Sequence, residues 1–207
     1  MNRFTRHVTT LVMLATSTAP AWATDWLMFG NGPRHDGYTA AEAVLTPGNV
    51  SSLTRKWGYS VVAYKRTHGL PHSKNFVSIY AQPVIASDVN VSGASKSIVY
   101  FGANGGTFHA IDANSRAPAG TLIWTRQTPV STVHCTGLTS GIKASAAIDR
   151  AANHGRGAVY VASNARVFAW DLATGDTLER WPDGGMQLPN LNPATEGEVA
   201  REIRTER

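Results

Sequence analysis

Three places in this chain gather side chains capable of metal or nucleophile chemistry. His68-Gly69-Leu70-Pro71-His72 sets two imidazoles four residues apart, the interval at which a helix turns both toward one zinc ion. That geometry needs a helix, and Gly69 and Pro71 interrupt one, so the pair reads as loop histidines. His134-Cys135 places a thiol beside an imidazole, but adjacent side chains diverge in extended backbone, and no joint site follows. Asp149 and Asn153 carry oxygen donors of the kind calcium takes, in a segment that reads first as an ordinary turn. Cys135 is the single cysteine, which excludes an internal disulfide and leaves a structural thiol as its reading. A phosphate loop, a nucleophile elbow and a Cys-x-x-Cys-His haem motif are all missing from the sequence. No catalytic residue and no metal ligand is assigned on these grounds, and cofactor-binding residues stay unknown.

The elements that would position any chemistry repeat. Val99-Tyr100, then Phe108-x-Ala110-x-Asp112, then Trp124 return as Val159-Tyr160, Val167-Phe168-Ala169-x-Asp171 and Trp181. The intervals are 60, 59 and 57 residues at the tyrosine, the aspartate and the tryptophan. A period of this size marks a repeat architecture and outranks local propensity. Short runs rich in Val, Ile, Tyr, Phe and Thr predict strands over residues 80–85, 97–102, 107–112 and 122–127, and again over 144–148, 158–163, 166–171 and 177–180. Asn104-Gly105-Gly106 and Asn164-Ala165 join the second and third strands of each copy, because Asn and Gly accept the positive φ of hairpin turns. Upstream, residues 49–53 predict one helical turn, 56–64 a lead-in strand and 65–75 a loop. Residues 182–207 read as a polar tail containing a short exposed helix capped by Thr195 and Glu198.

Residues 1–23 hold Arg3 and Arg6, an apolar run over 8–15, and Ala21-Trp22-Ala23 in small-x-small order, the pattern of a secretory signal peptide. The apolar run is far shorter than the ~18 residues that span a bilayer, so no stable membrane span follows its cleavage. The expected location is periplasmic or secreted. Without Arg3 and Arg6 the formal charge of +5 falls to +3. The remaining charges are scattered singly, which excludes nucleic acid as a partner.

The strand pair, followed by Thr174-Gly175 and Trp181 in the second copy and by Gly120 and Trp124 in the first, resembles the β-propeller repeats of the pyrroloquinoline quinone (PQQ) family. Asp25-Trp26-Leu27-Met28-Phe29-Gly30 and Leu45-Thr46-Pro47-Gly48-Asn49-Val50 through Leu53 and Trp57 look like that family's amino-terminal lead-in. Two departures stand out: the insertion Ser115-Arg116-Ala117-Pro118-Ala119 after Asp112, and the late position of Trp181. A second likeness, to WD40 propellers through Trp170-Asp171, fails on period, since that family repeats every ~40–45 residues.

The resemblance implies an all-β fold: a partial β-propeller of two four-stranded antiparallel blades of PQQ-repeat type behind an irregular N-terminal arm. The organisation expected is a signal peptide (1–23), an arm and lead-in strand (24–64), two blades (65–181) and the tail (182–207). It also implies that the motif tryptophans pack into the neighbouring blade. The family's dehydrogenases hold quinone and calcium in the channel of a complete ring, so PQQ and calcium enter here only if further blades complete it. Two blades fall short of the ~4–8 that close a propeller. The expectation is therefore an exported, truncated propeller fragment acting at most as a binding or scaffold module, with self-association or a partner completing the ring. The alternative is the amino-terminal part of a periplasmic PQQ-dependent alcohol dehydrogenase.

Overall fold

The computed structural model describes residues 25–40, 42, 44–133 and 138–188. The expected signal peptide (1–23), the His134-Cys135 pair and the expected helix capped by Thr195 and Glu198 lie outside the described residues. Among the described residues are, besides two 3-10 turns (Phe29–Asn31 and Val50–Ser52), two short α-helices and ten strands: α1 (Val61–Thr67), α2 (Lys74–Val77), β1 (Val84–Val91), β2 (Ala94–Gly102), β3 (Thr107–Asp112), β4 (Thr121–Gln127), β5 (Ser131–Val133), β6 (Leu138–Ser140), β7 (Ala147–Asp149), β8 (Ala158–Ser163), β9 (Arg166–Asp171) and β10 (Met186–Gln187). They form two four-stranded antiparallel sheets, β1-β2-β3-β4 and β10-β9-β8-β7, with β5 and β6 paired between them. The protein is mostly β with little helix.

The repeat holds at the level of hydrogen-bond register. Tyr100 lies opposite Ala110 and Ile98 opposite Asp112; Tyr160 lies opposite Ala169 and Ala158 opposite Asp171. Each aspartate then closes the turn that follows it. Asp112 accepts the Asn114 amide at 2.8 Å, and Asp171 accepts those of Ala173 and Thr174 at 2.8 and 3.0 Å. In the β8–β9 hairpin both Asn164 and Ala165 sit at positive φ, 51° and 58°, which matches the twist of the flanking strands.

One core lies between the sheets. Ile98, Tyr100, Phe108, Ala110 and Trp124 of the first meet Ile148, Val159, Val161, Phe168, Trp170 and Leu172 of the second. The Leu172 carbonyl accepts two hydrogen bonds from the first sheet, from Tyr100 Oη and Trp124 Nε1, each 2.9 Å. Phe108 and Trp170 lie 5.5 Å apart between ring centres. The lead-in stitches the sheets along one edge. Trp26 bridges Ile85 of β1, the Ile148 amide of β7 donates to the Leu27 carbonyl at 2.7 Å, and Asp25 accepts from the Ser87 amide and hydroxyl.

Gly102 faces Ile142 at this interface so closely that a Cβ would overlap the isoleucine side chain. Gly102→Ala is expected to cost about 1–3 kcal/mol by overpacking. Ile142→Ala alone is expected to cost about 2–5 kcal/mol, and the double variant less than the sum. Urea unfolding of the four proteins reads the coupling, and strict additivity would refute the contact.

Four expectations need correction. Residues 56–64 do not form a strand. The Ser60 hydroxyl accepts the Ala63 amide at 3.1 Å and caps α1, whose Val61 and Lys65, one turn apart, both turn toward the first sheet. The cap and this paired face outweigh the β preference of Val61-Val62. The expected loop over 65–75 consequently holds the end of α1 and the start of α2. Residues 177–180 do not form the fourth strand either: only Thr177 bridges Trp170, and Arg180 sits at φ 66°. β10 takes that place, in the segment read as tail. Finally, Trp124 packs into the neighbouring sheet as expected, but Trp181 does not. Its Nε1 donates to Val167 at 3.0 Å and its ring meets Tyr160, both in its own sheet.

Candidate functional site

Register equates the two sheets face by face. Val159, Val161, Phe168 and Trp170, which pack on the first sheet, correspond to Val99, Phe101, His109 and Ile111 on the far side of that sheet. There the partner is not a sheet but residues 57–77: Trp57, Tyr59, Val61 and Val77 cover Phe101 and Ile111. In the other direction, Tyr100, Gly102, Phe108 and Ala110 correspond to Tyr160, Ala162, Val167 and Ala169. The first set is buried by the second sheet. In the second set Tyr160, Ala162 and Val167 are half-buried, with Trp181 set on Tyr160 and no further sheet across them among the described residues. Among the described residues, one far face is thus capped by residues 57–77 and the other is left open.

The capped face contains a polar cluster that reading the chain as a sequence missed. His109 is fully buried where the second sheet has Phe168, and its ring is held by Phe101 (5.2 Å), Tyr59 (5.3 Å) and Tyr64 (4.9 Å, edge-on). Its Nδ1 lies 3.2 Å from Tyr59 Oη, and its Nε2 is buried without a partner. Lys65 is 1% exposed, with Nζ 3.5 Å from the Gly105 carbonyl. Burial, and secondarily the Lys65 charge, holds the His109 imidazole down to about 3. Burial also lowers the Lys65 ammonium and raises the Tyr59 phenol. No carboxylate pairs with either cation-forming group among the described residues. Aligning the two copies residue by residue would have exposed the His109-for-Phe168 exchange.

The residues singled out from sequence do not converge. His68 caps the end of α1, stacked on Tyr64 with Nδ1 2.8 Å from that residue's carbonyl, and His72 contacts the Leu70 carbonyl. Asp149 accepts the amides of Ala151 and Ala152, whereas Asn153 donates to Asp171 and accepts from Arg156. These calcium-type donors are spent on turns and internal pairs and do not fit a shared ion. No cluster of three or more His, Cys, Asp or Glu side chains suited to a metal forms among the described residues. A polar cleft of about 610 Å³ lies beside the β1–β2 turn, but its Arg150 and Arg156 are paired with Asp25 and Asp171. Among the described residues no helix is long and apolar enough to cross a membrane. The chain matches no family model and no curated protein.

Proposed function

We propose that the chain is a sheet-stacking binding module: an exported β-propeller segment of PQQ-repeat type whose second sheet offers its open face to a further sheet, without catalysis of its own. The observation that carries this reading is the open Tyr160, Ala162 and Val167 face, whose register equivalents in the first sheet are buried by a sheet. The repeat also specifies the occupant's chemistry. It presents branched and aromatic side chains in the manner of Val159, Val161, Phe168 and Trp170, and offers a backbone carbonyl to the Tyr160 hydroxyl as Leu172 does to Tyr100. In repeat architectures such nearest-neighbour contacts supply much of the stability. The quinoprotein dehydrogenase alternative draws no support from Asp149 and Asn153, of which the first holds its own turn through Oδ1 and the second accepts from Arg156.

A variant in which residues 141–188 are duplicated in tandem tests the reading. Docking of the added sheet is expected to raise the melting temperature by several degrees and to shift Trp181 emission to the blue. An unchanged melt with an independent low-temperature transition for the added sheet would sink it.

A further inference from the structure

Residues 57–77 occupy the place that a sheet occupies one repeat later. Beneath them lie Val99, Phe101, His109 and Ile111, the register counterparts of the residues that dock the second sheet on the first. Among the described residues the cover is slight compared with the sheet it replaces: four buried apolar residues form its cluster, against sixteen between the sheets. Its helix α1 has seven residues, too few to persist without the surface it lies on. Among the described residues, hydrogen bonds from Gly58 to Pro118 and from Trp57 Nε1 to Ala113 hold one end, and one from Gly105 to Phe76 holds the other.

We propose that residues 57–77 are a displaceable cap which acid loosens through His109. The groups facing His109 are Tyr59, Tyr64 and Lys65 of the cap, Phe101 of β2, and Thr125 opposite it on β4. None is anionic at neutral or acid pH. A proton on the ring therefore creates a buried cation beside the Lys65 ammonium, and releasing the cap returns both to water.

The test follows the full chain from pH 7 to pH 4.5 by amide hydrogen exchange. Protection within residues 57–77 is expected to fall by about tenfold per pH unit below about 6.5 while β8 and β9 stay protected. His109→Phe, which places the residue type of the equivalent position, and His109→Gln, which keeps polarity without a charge, are both expected to remain protected at pH 4.5. Three results overturn the cap: pH-independent protection of residues 57–77, loss of protection together with β8 and β9, or release in both His109 variants as in the parent chain.

Discussion

Trp124→Ala is expected to lower the unfolding free energy by about 3–5 kcal/mol, among the largest effects of any single truncation in this chain. The indole is 7% exposed and its centre lies 5.8 Å from Tyr100, 5.9 Å from Phe108 and 6.3 Å from Trp170, so its removal opens a cavity lined by three rings. It also removes one of the two donors on the Leu172 carbonyl, although Tyr100 still satisfies that group. Gly175, at φ 72°, lies flat against the indole, where a Cβ would approach within 2.6 Å. Trp181→Ala provides the contrast, because that ring is half-buried and bonded within its own sheet. Urea denaturation monitored by circular dichroism checks both, with the slope showing whether unfolding remains two-state. Equal losses for the two tryptophans would refute the assignment of Trp124 as the residue that joins the sheets.

Acidification is expected to destabilise the parent chain relative to His109→Phe across a defined window. His109 titrates near 6.5 when the chain is unfolded and is held at about 3 when folded. The folded state therefore keeps the ring neutral while the unfolded state takes up a proton as pH drops below 6.5. Above 6.5 both states are neutral and the penalty is nil. Between 6.5 and about 3 stability falls by up to about 1.4 kcal/mol per pH unit, and below about 3 no more is lost. His109→Phe removes this slope, although it also removes the Tyr59 contact and shifts the neutral-pH value. Denaturant midpoints of both proteins at pH 7.5, 6, 5 and 4 decide the matter: parallel profiles would show that the imidazole is not kept neutral by the fold.

The strands were legible where the sequence carried two mutually reinforcing signals. Thr107–Asp112 and Arg166–Asp171 combine apolar β-formers with a preceding turn that contains Asn and a terminal aspartate, Ala158–Ser163 leads into such a turn, and each strand has the expected bounds. Legibility failed where one local signal faced a tertiary competitor. Val61-Val62 reads as strand, but Ser60 capping and the burial of Lys65 beside Val61 favour a helix that lies on Phe101 and Ile111. The true fourth strand of the second sheet, Met186–Gln187, is two residues long and exposed, so neither periodicity nor burial announced it. The site was harder to read because it is a difference between repeats. His109 is unremarked by any motif and becomes informative only once Ala110 and Ala169 are placed in register. The candidate ligands erred the other way: Asp149 and Asn153 have suitable chemistry, yet Asp149 Oδ1 serves its own turn and Asn153 Oδ1 accepts from Arg156.

The shared acceptor at Leu172 also sets where this chain tolerates engineering. Both lone pairs of one carbonyl are committed to the opposite sheet, and the residues just beyond it, through Gly175, press on the indole that supplies one of those donors. The corresponding turn of the first copy already carries the additional Ser115 to Ala119 segment, with Ser115 and Thr121 bridged at 2.8 Å across its base. Peptide tags, epitopes or linkers thus belong in the first turn, beside the exposed Arg116 and clear of the Pro118 carbonyl that accepts from Gly58. The same graft between Ala173 and Gly175 would pull a single oxygen out of alignment and unfasten both donors at once.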